Sequence, residues 1–162
     1  MSNVHTQRLR AVNREYEAAR EAVGYVVNNW DAQDIYNEMP GLTLPNFKAT
    51  NAMLERTYFI RLFAEFEGIL KDHLDTNHPA ARWKGSLRIA VRDKIEVNEN
   101  ITLVLRENGL TIPTDERQRL LDVRGYRNSI AHLNLTTPPI ITFGDALSRL
   151  NTFVAKLPAP NH

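Results

Sequence analysis

The stretch Phe59-Ile60-Arg61-Leu62-Phe63-Ala64-Glu65-Phe66-Glu67-Gly68-Ile69-Leu70-Lys71-Asp72-His73-Leu74 decides the fold class of this 162-residue chain. Phe59, Leu62, Phe63, Phe66, Ile69, Leu70 and Leu74 recur at steps of three and four, the period of an α-helix. They cover a wide arc, which predicts a central bundle helix over roughly 48–76 with its aromatics in the core. Glu65 and Glu67 leave such a helix about 200° apart, so at most one faces the core or a partner.

Upstream, Leu9, Val12, Tyr16, Ala19, Val23, Val26 and Trp30 form one narrower stripe. It predicts a long N-terminal helix over about 4–37, ending before Met39-Pro40-Gly41, with a loop from Leu42 to Phe47. Downstream, Asn77-His78-Pro79 is a stop, and 79–85 reads as a turn containing Trp83. A helical region over 86–108 carries a candidate break at Asn98-Glu99-Asn100 and ends at Gly109, well placed as a C′ residue. Thr114 is a candidate cap for the next helix, with Asp115 and Glu116 in its positive first turn. After Pro138-Pro139, Ala146, Leu147, Leu150, Phe153, Val154 and Leu157 give a last stripe, and Thr142 with Asp145 resembles a capping box. The expectation is a single all-α domain over 1–162, an up-and-down helical bundle of four to six helices with its core over about 48–157.

Composition narrows the function classes. Hydrophobic residues are 43% and charged residues 24%, ordinary for a globular chain, and a formal net charge of +1 sets up no strong field. Fifteen of the 20 basic residues are Arg, the side chain suited to bidentate contacts with phosphate or carboxylate. With no cysteine there is no disulfide framework or thiolate site. No apolar run approaches 18 residues and the N-terminus has no apolar core, so neither a membrane span nor a signal peptide is expected, and a cytoplasmic location is the default. No metal and no cofactor is expected: His73 and His78 have a poor zinc spacing, and neither a phosphate-binding loop nor a nucleophile elbow occurs.

Chemistry concentrates in Arg124-Gly125-Tyr126-Arg127-Asn128-Ser129-Ile130-Ala131-His132. Arg127 falls on the stripe Leu120, Val123, Ile130, where the helical period asks for an apolar residue. A buried guanidinium is very unfavourable alone, so Arg127 needs a carboxylate partner, a wet groove or a ligand. Gly125 costs roughly 1 kcal/mol inside a helix and points to close approach of a backbone or ligand. Arg124, Asn128 and His132 follow at four-residue steps and share a face. Arg127 and His132 stand about 140° apart, so both reach one phosphate only if the helix end loosens or two chains meet. An Arg and a His at this spacing have a chance expectation of about 0.5 here; requiring Asn after the Arg lowers it to about 0.04. The alternative leaves Arg127 paired with a carboxylate of the second helix and His132 as a C-terminal cap.

Tyr126-Arg127-Asn128-Ser129-Ile130-Ala131-His132, late in a small all-helical chain, resembles the HEPN superfamily, whose ribonuclease members carry Arg, a polar residue and then His. Leu120-Leu121-Asp122-Val123-Arg124 and the closing helix also look like that family, over about 52–157, with the first helix as a variable addition. The resemblance implies a metal-independent endoribonuclease, in many relatives a toxin or antiphage effector, that uses the RNA 2′-OH as nucleophile. Arg127, Asn128 and His132 then become the catalytic residues, and Arg124, Tyr126 and Ser129 substrate-binding ones. It also implies RNA as partner, a homodimer with a composite site, and a cognate antitoxin or regulator. Two other readings stand beside it: a non-catalytic helical module binding RNA, nucleotide or protein, and a dimerisation domain with the first helix as seam.

Overall fold

The computed structural model describes residues 3–30, 41, 43–78, 97–132 and 140–158. The described residues form five helices and no strand: α1 (Val4–Asn28), α2 (Leu44–Asn77), α3 (Val97–Glu107), α4 (Thr114–His132) and α5 (Phe143–Val154). The expected all-helical bundle is what the chain builds. No helix among the described residues is long and apolar enough to cross a membrane.

The axis is α2, 34 residues and so about 51 Å long. It packs against each of the other four helices, and α5 also touches α1 and α4. Phe59, Leu62, Phe63, Phe66, Ile69, Leu70 and Leu74 are all at most 1% exposed, the whole arc read from the sequence. Around it close Leu9, Val12 and Tyr16 from α1, Ile101 and Val104 from α3, Leu120 and Val123 from α4, and Ala146, Leu150, Phe153 and Val154 from α5. Phe66 meets Phe153 edge to face with ring centroids 5.9 Å apart, which ties the axis to the closing helix. The first helix thus forms one wall of the common core.

Polar contacts set where the helices begin and end. Asn3 caps α1 by accepting from the His5 N–H at 2.9 Å, and its Nδ2 donates to the carbonyls of Val154 and Leu157 at 3.3 and 3.0 Å. One side chain therefore joins the start of α1 to the end of α5. Helix α1 ends at Asn28, short of the expected 37: Asn29 leaves the helical region, and its backbone N–H and Nδ2 both bond to the carbonyl of Tyr25. Residues 31–40 lie outside the described residues. Helix α2 begins four residues earlier than expected, because Thr43 and Asn46 cap one another and Pro45 sits in the first turn. Proline is tolerated there, where its missing N–H would have no partner.

The expected turn over 79–85, with Trp83, and the start of the helical region at 86–96 lie outside the described residues. Asn98, Glu99 and Asn100 are helical in α3, which begins at Val97; the residues before it, where a break around these positions would fall, lie outside the described residues. Asn98 accepts from Arg117 at 3.1 Å, and Asn100 is buried. Gly109 closes α3 at φ +61° with a Schellman pair, its own N–H to Arg106 and that of Leu110 to Leu105. Thr114 is the first helical residue of α4 rather than its cap: Arg117 N–H bonds to the carbonyl of Pro113. Asp115 and Glu116 occupy the first turn as expected. At α5 the Thr142 hydroxyl accepts from the Asp145 N–H at 3.1 Å and donates to the Asp145 carboxylate at 2.8 Å.

Candidate functional site

Helix α4 buries Leu120 and Val123 and then continues, half-buried, through residues 124–130. The change comes where the stripe meets Arg127. Its guanidinium lies over the ring of Phe63 on α2, 5.9 Å from the centroid, and Nη1 donates to Asn128 Oδ1 at 3.0 Å. The Nε atom is buried with no hydrogen-bond partner among the described residues.

Among the described residues no carboxylate pairs with Arg127, so the alternative, an ion pair with a helix-two carboxylate, is not formed. Two candidates on α2 are committed elsewhere. Glu65 accepts from Arg8 Nε at 2.5 Å, and Glu55 accepts from the Phe143 N–H at 2.9 Å. Arg127 is instead seated on an aromatic face, an attraction of about 0.5–2 kcal/mol that neutralises no charge. The site can therefore attract an anion at Arg127, with Asn128 beside it.

The other motif residues divide. Arg124 and Asn128 are both half-buried, four residues apart on one face of α4. Tyr126 packs edge-on against Phe59 with centroids 5.0 Å apart, and Ser129 Oγ donates to the carbonyl of Tyr126 at 2.7 Å. Both are thus held by the fold: the tyrosine ring by the core, the serine by its own helix. Gly125 lies half-buried inside α4. Helix α4 is continuous to His132, its last residue, so it does not loosen between positions 127 and 132, which stay about 140° apart. The His132 side chain lies outside the described residues.

Beside the motif, Tyr126 and Ile130 share a cavity of about 160 Å³ with Arg56, Phe59 and Ile141. It adjoins a groove of about 520 Å³ between α1, α2 and the start of α5, where Asn13, Glu17, Arg20, Asn51 and Glu55 line the walls. Ala52, Glu55 and Thr142 border both spaces.

A second polar cluster was not legible in the spacing of the histidines. His5 and His73 are 4% and 1% exposed, and their rings meet edge to face at 5.5 Å. His78 follows, 5.9 Å from His73, and both rings contact Asn108 Oδ1 through Nε2. Burial, then the neighbouring charges of His73 and Arg8, push the pKa of His5 below its ordinary 6.5, against the opposing pull of Asp72. Burial also pushes His73 down, and its bond to Asn108 offsets this in part. Among the described residues no three His, Cys, Asp or Glu side chains are grouped to hold a metal ion.

No family model, no curated protein and no solved structure matches this chain.

Proposed function

We propose that the chain is a metal-independent endoribonuclease of HEPN type, acting as a homodimer whose active site draws on α4 of both copies. The observation that carries the reading is the Arg127 guanidinium, half-buried over Phe63 and bonded to Asn128, with no carboxylate partner among the described residues. A cation placed so on an apolar stripe is best accounted for by an anion from outside, and a phosphodiester is the anion its geometry suits. The resemblance of the Arg127, Asn128 and His132 motif to HEPN ribonucleases supplies the reaction.

In that reaction the RNA 2′-oxygen attacks the adjacent phosphorus, and the bond from phosphorus to the 5′-oxygen breaks. The products are a 2′,3′-cyclic phosphate and a free 5′-hydroxyl. His132 accepts the proton from the 2′-OH, a role suited to an imidazole near pH 6.5, the leaving oxygen takes a proton from water, and Arg127 of the second copy completes the site. Arg127 offsets the charge that grows on the non-bridging oxygens, and Asn128 orients that guanidinium. Arg124, on the same face as Asn128, is assigned to the RNA backbone. DNA lacks the nucleophile and is not cut.

The test is cleavage of mixed RNA by purified dimeric protein in EDTA. Arg127→Ala and His132→Ala are each expected to lower the rate by about 100-fold or more, with helical content and thermal midpoint unchanged. Uncut RNA with a nuclease-free dimer, or variants that cut as fast as the wild type, overturns the reading.

A second reading, an anion-binding module without catalysis, is favoured by the engagement of Tyr126 and Ser129 in the fold. It predicts saturable RNA binding that survives His132→Ala and is lost with Arg127→Ala.

A further inference from the structure

The N-terminal turns of α1 are held by an arrangement that is costly at neutral pH. His5 is buried, and neither of its ring nitrogens has a hydrogen-bond partner among the described residues. A neutral imidazole there carries one donor and one acceptor out of water unsatisfied. Phenylalanine or leucine would fill the place with no polar atom left over, so packing alone does not account for histidine. What histidine adds is a charge that appears on acidification.

The neighbours make that charge disruptive. From α1, the guanidinium of Arg8 repels it. From α2, Asp72 attracts it, but Asp72 is already bonded to Arg8 Nη1 at 2.6 Å. His73 lies against the His5 ring, so charge in one opposes charge in the other, and the His78 ring stands beyond it, 5.9 Å from His73. Among the described residues the row also meets neutral amides: Asn77 meets His73 Nδ1 at 3.1 Å, and Asn108 at the end of α3 meets His73 and His78. At the far side, the Val154 and Leu157 carbonyls hold Asn3, two residues before His5. The row thus joins the start of α1 to the end of α2 and the end of α3, and through Asn3 to the end of α5.

We propose that the buried pair His5–His73 is an acid-sensitive latch: neutral, it seats the first turns of α1 on the bundle; protonated, it releases them. Release uncovers Leu9 and Val12, both now in the core. The depressed proton affinities of His5 and His73 agree in direction, since each histidine gains protons more readily once it is freed into water.

The experiment is amide hydrogen exchange at pH 7.5, 6.0 and 5.0 on the full chain, corrected for the intrinsic pH dependence of exchange. Protection of residues 6–12 should fall by about 10-fold or more between pH 7.5 and 5.0, against a ceiling near 30-fold for each histidine freed with a pKa of about 6.5. Protection at the centre of α2 should fall by less. In His5→Phe the drop should shrink to about 3-fold or less. An undiminished drop in that variant overturns the proposal. So does a wild-type α1 no less protected at pH 5.0. Should His5→Phe fail to fold, NMR titration of the wild-type imidazole protons decides: midpoints of His5 and His73 below 6.5 with simultaneous shifts in α1 support the latch, and midpoints at or above 6.5 overturn it.

Discussion

The guanidinium of Arg127 lies over the ring of Phe63, 5.9 Å from its centroid, at a position where the apolar period of α4 calls for a hydrophobic side chain. Among the described residues the arrangement leaves Nε buried without a partner and the charge unneutralised by any carboxylate. Stability is not what keeps this residue charged. Arg127→Met, similar in reach and without polar atoms, should leave the urea unfolding free energy unchanged or raise it by up to about 1 kcal/mol. RNA cleavage or binding should be lost at the same time. A loss of about 2 kcal/mol or more would make Arg127 a structural residue.

Because α4 is helical through His132, positions 127 and 132 diverge within one chain. Mixing unfolded Arg127→Ala and His132→Ala chains and refolding them together should then restore cleavage in the mixed dimers. Each mixed dimer keeps one Arg127 and one His132 on opposite chains. Two inactive variants that remain inactive after chain exchange, verified by mass spectrometry of differently tagged copies, would place both residues of a working pair in the same chain.

The buried histidines give a pH dependence of stability with a defined sign. His5 and His73 have folded pKa values below their ordinary 6.5, so between those values and 6.5 the unfolded chain binds more protons than the folded one. Their full contribution is present above about pH 6.5 and is lost as pH falls from there toward the folded pKa values. The slope is at most about 1.4 kcal/mol per pH unit for each histidine. Urea midpoints measured from pH 7.5 to 5.0 should fall, and His5→Phe should flatten the fall.

Gly109 has φ +61°, a left-handed conformation that closes α3. No heavy atom stands within 4 Å of a methyl group added there, so Gly109→Ala tests the backbone alone. It should cost about 1 kcal/mol in chemical denaturation. Gly24→Ala, inside α1 with equally open surroundings, should stabilise by a comparable or smaller amount.

Asn3 bonds at once to the start of α1 and to two carbonyls at the end of α5. Asn3→Ala should lower stability by about 1–2 kcal/mol, as the loss of a helix cap together with bonds to otherwise unmatched carbonyls. Asn3→Asp should recover the cap but not the two bonds to α5, since a carboxylate offers them no donor. A full recovery by Asp would show that the bridge to α5 contributes nothing.

Much of this architecture follows from local rules. The wide apolar arc of α2 and the narrower stripes of α1 and α5 are visible because burial acts on side chains at the helical period. Gly109 and Thr142 could be assigned to helix ends because their conformational and hydrogen-bonding preferences are their own. Boundaries were less legible where two side chains act together, as in the Thr43–Asn46 cap that carries α2 back over Pro45, or where Asn29 ends α1 at its own backbone.

Sequence by itself determined that the chain is an all-helical bundle and that Arg127 stands out of place on an apolar stripe. Only the tertiary structure decided what lies opposite that arginine, a phenylalanine ring rather than a carboxylate, and that Glu65 is spent on Arg8 instead. It also brought His5 against His73, 68 positions apart in the chain, at 5.5 Å. The reason is physical. Periodicity reports which face of a helix turns inward, and the partner met there depends on how two helices are set side by side, a long-range relation that no local pattern encodes.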